Sequence, residues 1–164
     1  MTTTTENSAV APISVIFAFG DSFVLRALGG LSQDELWNPL TSFNNPLLWV
    51  AGHIVQTRVM VLEMLGQYFD TGWGKLFDMG AQVGDRKDYP SGTEVARVMR
   101  EVSPRLQAVL ASLEDEQLNK PATLPIPGVK TLADELAFFA MHDAYHIGQL
   151  SYIRKGLGHP GIAG

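Results

Sequence analysis

The sequence predicts an all-α protein, a four-helix bundle with long crossover connections, on three observations. Apolar residues recur at helical spacing in separate segments. Each of those segments is bounded by residues that start or stop helices. No stretch reads as a convincing strand, and no internal repeat appears. A chain of 164 residues suits a single domain. That domain is placed at residues 11–157, between a polar N-terminal tail, 1–10, and a C-terminal tail, 158–164.

The first helix is expected to open at Pro12, whose fixed φ suits a first turn, and to end at Gly29 and Gly30. Its apolar positions include Ile13, Ile16, Phe17, Phe19, Phe23, Val24 and Leu28. Residues 31–43 read as a connector with one helical turn near 32–36. Asn45 as N-cap and Pro46 as first helical residue then open a second helix that runs through Leu65 to Gly66. It is apolar around most of its circumference, so it should lie between neighbours.

Residues 67–90 hold Tyr68, Phe69, Trp73, Phe77 and Tyr89 with interspersed glycines and no sustained period, the pattern of a crossover that partly covers the bundle. Ser91 caps a third helix with Val95, Val98, Met99, Val102, Leu106 and Leu110 on one face, and Pro104 inside it should kink it. Pro121, Pro125 and Pro127 make the following stretch an extended link. Thr131 and Asp134 form a capping-box start for a fourth helix, which Arg154 and Lys155 close before Gly156. One short and two long connections are expected between the four helices.

Composition narrows the function classes. There is no cysteine, so disulfides, thiolate ligands and a protein-borne thiol nucleophile are excluded, and any metal must be held by nitrogen or oxygen. The net charge of −5 comes with scattered Lys and Arg, which is not the basic footprint of a nucleic-acid binder. The first residues lack the basic flank of a signal peptide, and no apolar run approaches the ~20 residues that span a bilayer. The expectation is a soluble cytoplasmic protein that acts on a small molecule, without a nucleic-acid or membrane partner.

The histidines carry the chemistry. On the fourth helix Leu132, Leu136, Phe139, His142, His146, Gln149 and Ile153 recur at steps of three and four, placing two imidazoles on the stripe that should face the core. A buried imidazole without partners costs about 1–3 kcal/mol. Residues four apart sit one turn apart on one face, so both rings can reach one metal ion; a packed, hydrogen-bonded pair fits the same spacing. His53, inside the apolar second helix and next to Gly52, adds a third nitrogen from a facing helix, as in metal sites of bundle cores. Gly52 would let a neighbouring helix approach closely.

The run Asn45-Pro46-Leu47-Leu48-Trp49-Val50-Ala51-Gly52-His53 and the later His142-Asp143-Ala144-Tyr145-His146-Ile147-Gly148-Gln149-Leu150 resemble the DinB-like superfamily, with its related metal-dependent thiol S-transferases. The similarity spans residues 12–156, and the His-x-x-x-His-x-Gly-Gln motif is its specific part. The resemblance implies a bundle in which His53, His142 and His146 hold zinc or nickel, often in a homodimer. It also implies open metal positions that activate the thiol of a small cofactor such as bacillithiol or mycothiol. Three neutral imidazoles with an open position match catalytic rather than structural zinc sites.

Other readings use the same residues. Asp143 follows His142 as the general base follows the first histidine in zinc peptidases, but it is a methylene shorter than Glu and about 100° around the helix, so a solvated or supporting residue is the other reading. Gln149 is a candidate to hold a substrate oxygen or, equally, a core amide. Trp49 and Tyr145 flank ligands as core or pocket aromatics. Arg58 is expected to pair with a carboxylate such as Asp21 or Glu63, the other reading being a substrate anion, and His159, in the tail, to be exposed and outside the site. The functional alternatives are therefore a metal-dependent thiol S-transferase, a metal-dependent hydrolase, or a non-catalytic dimeric bundle that metal stabilises.

Overall fold

A computed structural model describes residues 9–163, so most of the polar tail expected over 1–10 lies outside them, while Val10, at its end, is buried. The helices are α1 (Ala11–Leu28), α2 (Gln33–Trp37), α3 (Leu47–Met64), α4 (Gly92–Ala111), α5 (Asp115–Leu118) and α6 (Leu132–Gly156), with a 3₁₀ turn at Arg86–Asp88. Among the described residues the only β pairing is an isolated bridge between Pro121 and Thr131. The four long helices α1, α3, α4 and α6 form the bundle.

Each of α1 and α3 packs mainly against α4 and α6, so α1 and α3 lie across one diagonal and α4 and α6 across the other. A diagonal step must cross the bundle, and none of the three connections is short: residues 29–46, 65–91 and 112–131. The expected short connection is thereby corrected. The link before α6 is also not simply extended. Ala122 N–H donates to the Lys130 carbonyl and Leu132 N–H to that of Lys120, each at 2.9 Å, which closes it into a loop. Buried Glu135 holds this loop by accepting from Thr123 N–H, Thr123 Oγ1 and Leu124 N–H at 2.8–3.0 Å.

Helix ends follow local chemistry with two shifts of register. Ser32, Ser91 and Thr131 accept from the N–H groups of Glu35, Glu94 and Asp134, as N-caps do. Pro46 rather than Asn45 is the N-cap of α3, and no side chain caps it. Gly66, at φ +80°, ends α3 as expected: Gln67 N–H reaches the Leu62 carbonyl and Gly66 N–H that of Glu63. At α6 the same motif is built on Gly158, at φ +86°, two residues beyond Gly156. Gly156 is instead a contact position, where a Cβ would lie 2.2 Å from Leu40 Cδ1.

The chain after α6 returns to the bundle. Arg154 donates to the carbonyls of Ala27 and Gly29 at the open end of α1, and to that of Pro160. Ile162 is buried. His159 is half-buried rather than exposed and bonds Glu35 at 2.7 Å; that bond, with those from Ser32, lowers the Glu35 pKa to about 2.

By length and composition both α1 and α3 are apolar enough to cross a membrane, which corrects the expectation that no run comes close. For α3 the bundle supplies the reason, since 78% of it is buried. Only 33% of α1 is buried, and Val15, Ile16 and Phe19 are exposed on it. Ile16, Phe19 and Phe23 line an apolar groove of about 580 Å³ with Ala144 and Ile147 of α6 and Ile162.

The core holds Phe17, Ile54, Leu62, Phe77, Met99, Leu106, Leu136 and Leu150 at no exposure, each worth roughly 1.5–3 kcal/mol of burial. Among them lies a charge. Arg58 of α3 is fully buried and donates from Nε to Asp143 of α6 at 2.7 Å, from Nη1 to Asp21 of α1 and to Ser103 of α4, and from Nη2 to the Phe17 carbonyl of α1 at 3.0 Å. Burial opposes the guanidinium's charge, but Asp143 and Asp21 outweigh it and hold its pKa above the ordinary value. Gly20 makes room for it, because a Cβ there would lie 2.6 Å from Nη2. Of the two expected partners, Asp21 is one; Asp143 takes the second place, not Glu63. Removing one member of a buried ion network leaves the others uncompensated, so Arg58→Leu should destabilise the protein by about 3–5 kcal/mol in urea unfolding. An unchanged midpoint would show that the network carries no such weight.

Candidate metal centre

His53 on α3 and His142 and His146 on α6 converge, with one nitrogen from each lying within 4.8 Å of the others. The nitrogens are the Nε2 atoms: His53 to His142 is 3.1 Å and His146 to His142 is 3.2 Å. A tetrahedral ion at 2.0–2.1 Å from each nitrogen spaces its ligands by about 3.3–3.4 Å, close to these separations.

The outer nitrogens decide what the inner ones can do. His53 Nδ1 donates to the Phe77 carbonyl at 2.6 Å, and His146 Nδ1 donates to Gln149 Oε1 at 2.7 Å. A neutral imidazole carries one proton, so both Nε2 atoms are left as bare lone pairs. His142 has a single proton to offer and two such neighbours, so no arrangement of neutral rings provides a donor for each lone pair. A cation at their centre satisfies all three. His142 Nδ1 and Asp143 Oδ1 are the two buried side-chain atoms among the described residues that have no hydrogen-bond partner.

Electrostatics favours the ligand form. Burial lowers the pKa of His53 below its ordinary 6.5, with nearby His142 adding to the effect against the raising influence of the Phe77 bond. Burial likewise lowers that of His146, opposed by its bond to Gln149. Both shifts favour the neutral ring, the form that binds a metal without releasing a proton.

The surroundings sort the remaining candidates. Trp49 is buried and stacks on the His53 ring at 5.1 Å, while its Nε1 donates to the Leu76 carbonyl. Tyr145 meets the His146 ring edge-on at 5.0 Å and is exposed. It lines a cavity of about 430 Å³ with Phe43, Asn44, Asn45, Gln149 and Tyr152, none of them charged. Gln149 thus orients a ligand and borders the cavity at once. Asp143 is not solvated: it is buried, and its Oδ2 is taken by Arg58, so it is not disposed as a general base. His159 stands apart, on Glu35.

Sequence reasoning missed the part played by Phe77, because it acts through a backbone carbonyl. A signal for it exists at Gly52. The close approach expected there is made by the crossover's Phe77 ring and not by a helix, since a Cβ on Gly52 would lie 2.2 Å from Phe77 Cε1.

Comparison with known proteins gives the family and the fold. The family described as the DinB superfamily matches residues 23–150. Among solved structures, the chain is similar to YfiT from Bacillus subtilis, described as a probable metal-dependent hydrolase with an unusual four-helix bundle topology. The TM-score is 0.71 at 15% identity, over 92% of this chain and 88% of that one, a likeness of fold. No curated protein matches.

Two outcomes follow from this geometry. Gly52→Ala should push Phe77 aside and destabilise the protein by about 1–3 kcal/mol in denaturant titration, despite a helix-propensity gain of up to about 1 kcal/mol. A raised midpoint would contradict that contact. The lowered pKa values of His53 and His146 mean that below pH 6.5 the unfolded chain takes up protons which the folded chain resists. Metal-free protein should therefore lose stability as pH falls through 6.5, and a His53→Gln/His146→Gln variant should lose less; equal pH slopes would refute the assignment.

Proposed function

The chain belongs to the DinB superfamily, and from that premise we propose that it is a metal-dependent enzyme whose His53, His142 and His146 hold one divalent ion and leave a position open for a small-molecule reactant. The observation that carries this reading is the convergence of three Nε2 atoms, two of them stripped of protons by their outer hydrogen bonds. Zinc or nickel is the proposed ion, both being suited to imidazole.

A bound divalent cation supplies Lewis acidity, lowering the pKa of a thiol or water that reaches it. The protein's own groups do the rest. Phe77 and Gln149 hold two imidazoles in the ligating tautomer and orientation. Trp49 shields one face of His53 from water. The cavity bordered by Gln149, which bonds His146, and by Tyr145, which packs on it, would receive the reactant, with the Tyr145 ring against its apolar parts and the amides of Asn44, Asn45 and Gln149 for its polar ones.

The reaction proposed is thiol S-transfer. With no cysteine in the chain, a thiol must come from a low-molecular-weight cofactor. The second reading, hydrolysis, is favoured by the description of YfiT as a probable metal-dependent hydrolase. We also propose a homodimer formed through the apolar groove of α1 and α6, and a reducing, cytoplasmic setting.

Elemental analysis of protein purified without chelator should find about one divalent ion per chain, and His146→Ala should lose most of it. No bound ion and no uptake on addition would sink the reading. Loss of free thiol when bacillithiol, mycothiol or glutathione is supplied with an electrophile would favour transfer. Turnover of an activated ester without thiol loss would favour hydrolysis.

A further inference from the structure

Resting on the reading of the three histidines as a metal centre, we propose that Asp143 is a positioning residue for His142. Its Oδ1 accepts from His142 Nδ1 when the ion is held, and so ties the centre to the Arg58 network.

The argument begins with the two partnerless atoms. His142 Nδ1 and Asp143 Oδ1 are both buried, and they lie 3.9 Å apart. An N–H···O bond needs about 2.9 Å, so a shift of roughly 1 Å would satisfy both atoms at once. Each of the other two ligands already has its outer nitrogen anchored, by a backbone carbonyl and by an amide. His142 lacks such a partner, and among the described residues the buried side-chain acceptor left without one is Oδ1 of the neighbouring Asp143 carboxylate.

Asp143 is itself held in place. Arg58 Nε takes Oδ2 at 2.7 Å, which leaves Oδ1 as the free oxygen. The cluster also carries unbalanced charge: one guanidinium, Arg58, faces two carboxylates, Asp21 and Asp143. A divalent cation on the far side of the His142 ring opposes that excess. A carboxylate on the outer nitrogen of a ligating histidine, in turn, fixes the ring and raises its basicity. The protonation required of His142, proton on Nδ1 and lone pair on Nε2, is the one that makes all three Nε2 atoms ligands.

The decisive comparison is between Asp143→Asn and Asp21→Asn, since each removes one carboxylate from Arg58 and only the first touches His142. Zinc affinity by chelator competition, cobalt absorption spectra and urea unfolding of the metal-free protein would be measured for both variants and the parent chain. Asp143→Asn should bind zinc about 10–100-fold more weakly and alter the cobalt spectrum. Asp21→Asn should lower the unfolding midpoint yet keep zinc affinity within about twofold of the parent. Equal affinity in Asp143→Asn and the parent would overturn the proposal while leaving the metal centre standing, and so would an equal loss in both variants. No zinc uptake by the parent would overturn the centre and this proposal together. Should Asp143→Asn fail to fold, ¹⁵N-edited NMR of the zinc-loaded parent decides: a slowly exchanging, downfield His142 Nδ1 proton is expected, and its absence refutes the bond.

Discussion

The guanidinium of Arg58 has no contact with solvent, so each of its donors must find a partner inside the protein, and those partners come from every other long helix. Asp21 and the Phe17 carbonyl place α1, Ser103 places α4 and Asp143 places α6, all around one side chain of α3. Ser103 also donates to Asp21, closing the ring of contacts. Hydrophobic side chains fill space without regard to direction; a planar fork of N–H groups does not. The diagonal arrangement of α1 and α3 is therefore held by a directional constraint at the centre of an otherwise apolar interior.

The candidate metal centre is built on α3 and α6, two of the four helices that this network joins. Asp143 precedes Ala144 on the α6 turn that carries His142 and His146, and Arg58 lies five positions beyond His53 on α3. The separation of α3 from α6 thus sets both the guanidinium's reach to Asp143 and the approach of His53 to the other imidazoles. The crossover contributes from a third side. Phe77 seats its ring against Gly52 and directs its carbonyl to His53, so a segment without sustained regular structure still sets the tautomer of a ligand.

Much of the bundle was legible because helix ends and helix faces are local properties. Ser91 and Thr131 cap where their side chains announce it, and Gly66 ends α3 with the positive φ that only a glycine adopts freely. The misread ends have separate causes. Gly156 follows two basic residues as a helix stop would, yet it is spent on contact with Leu40, and the stop falls to Gly158. Asn45 before Pro46 has the look of a cap, but α3 begins one residue later. Gly52 announced a close approach without saying which element makes it.

Spacing and composition, which are carried along the chain, sufficed for the four long helical segments, the lack of any thiol, and the three imidazoles on apolar faces. Which helices are neighbours, which nitrogen of each histidine turns inward, and that Asp143 lies with Arg58 in the interior and not in solvent emerge only in the folded bundle. Those outcomes depend on atoms far apart in sequence: a carbonyl 24 positions from His53 and a guanidinium 85 positions from Asp143. No local pattern encodes such pairings. They are set when burial forces polar groups to find their partners across the bundle.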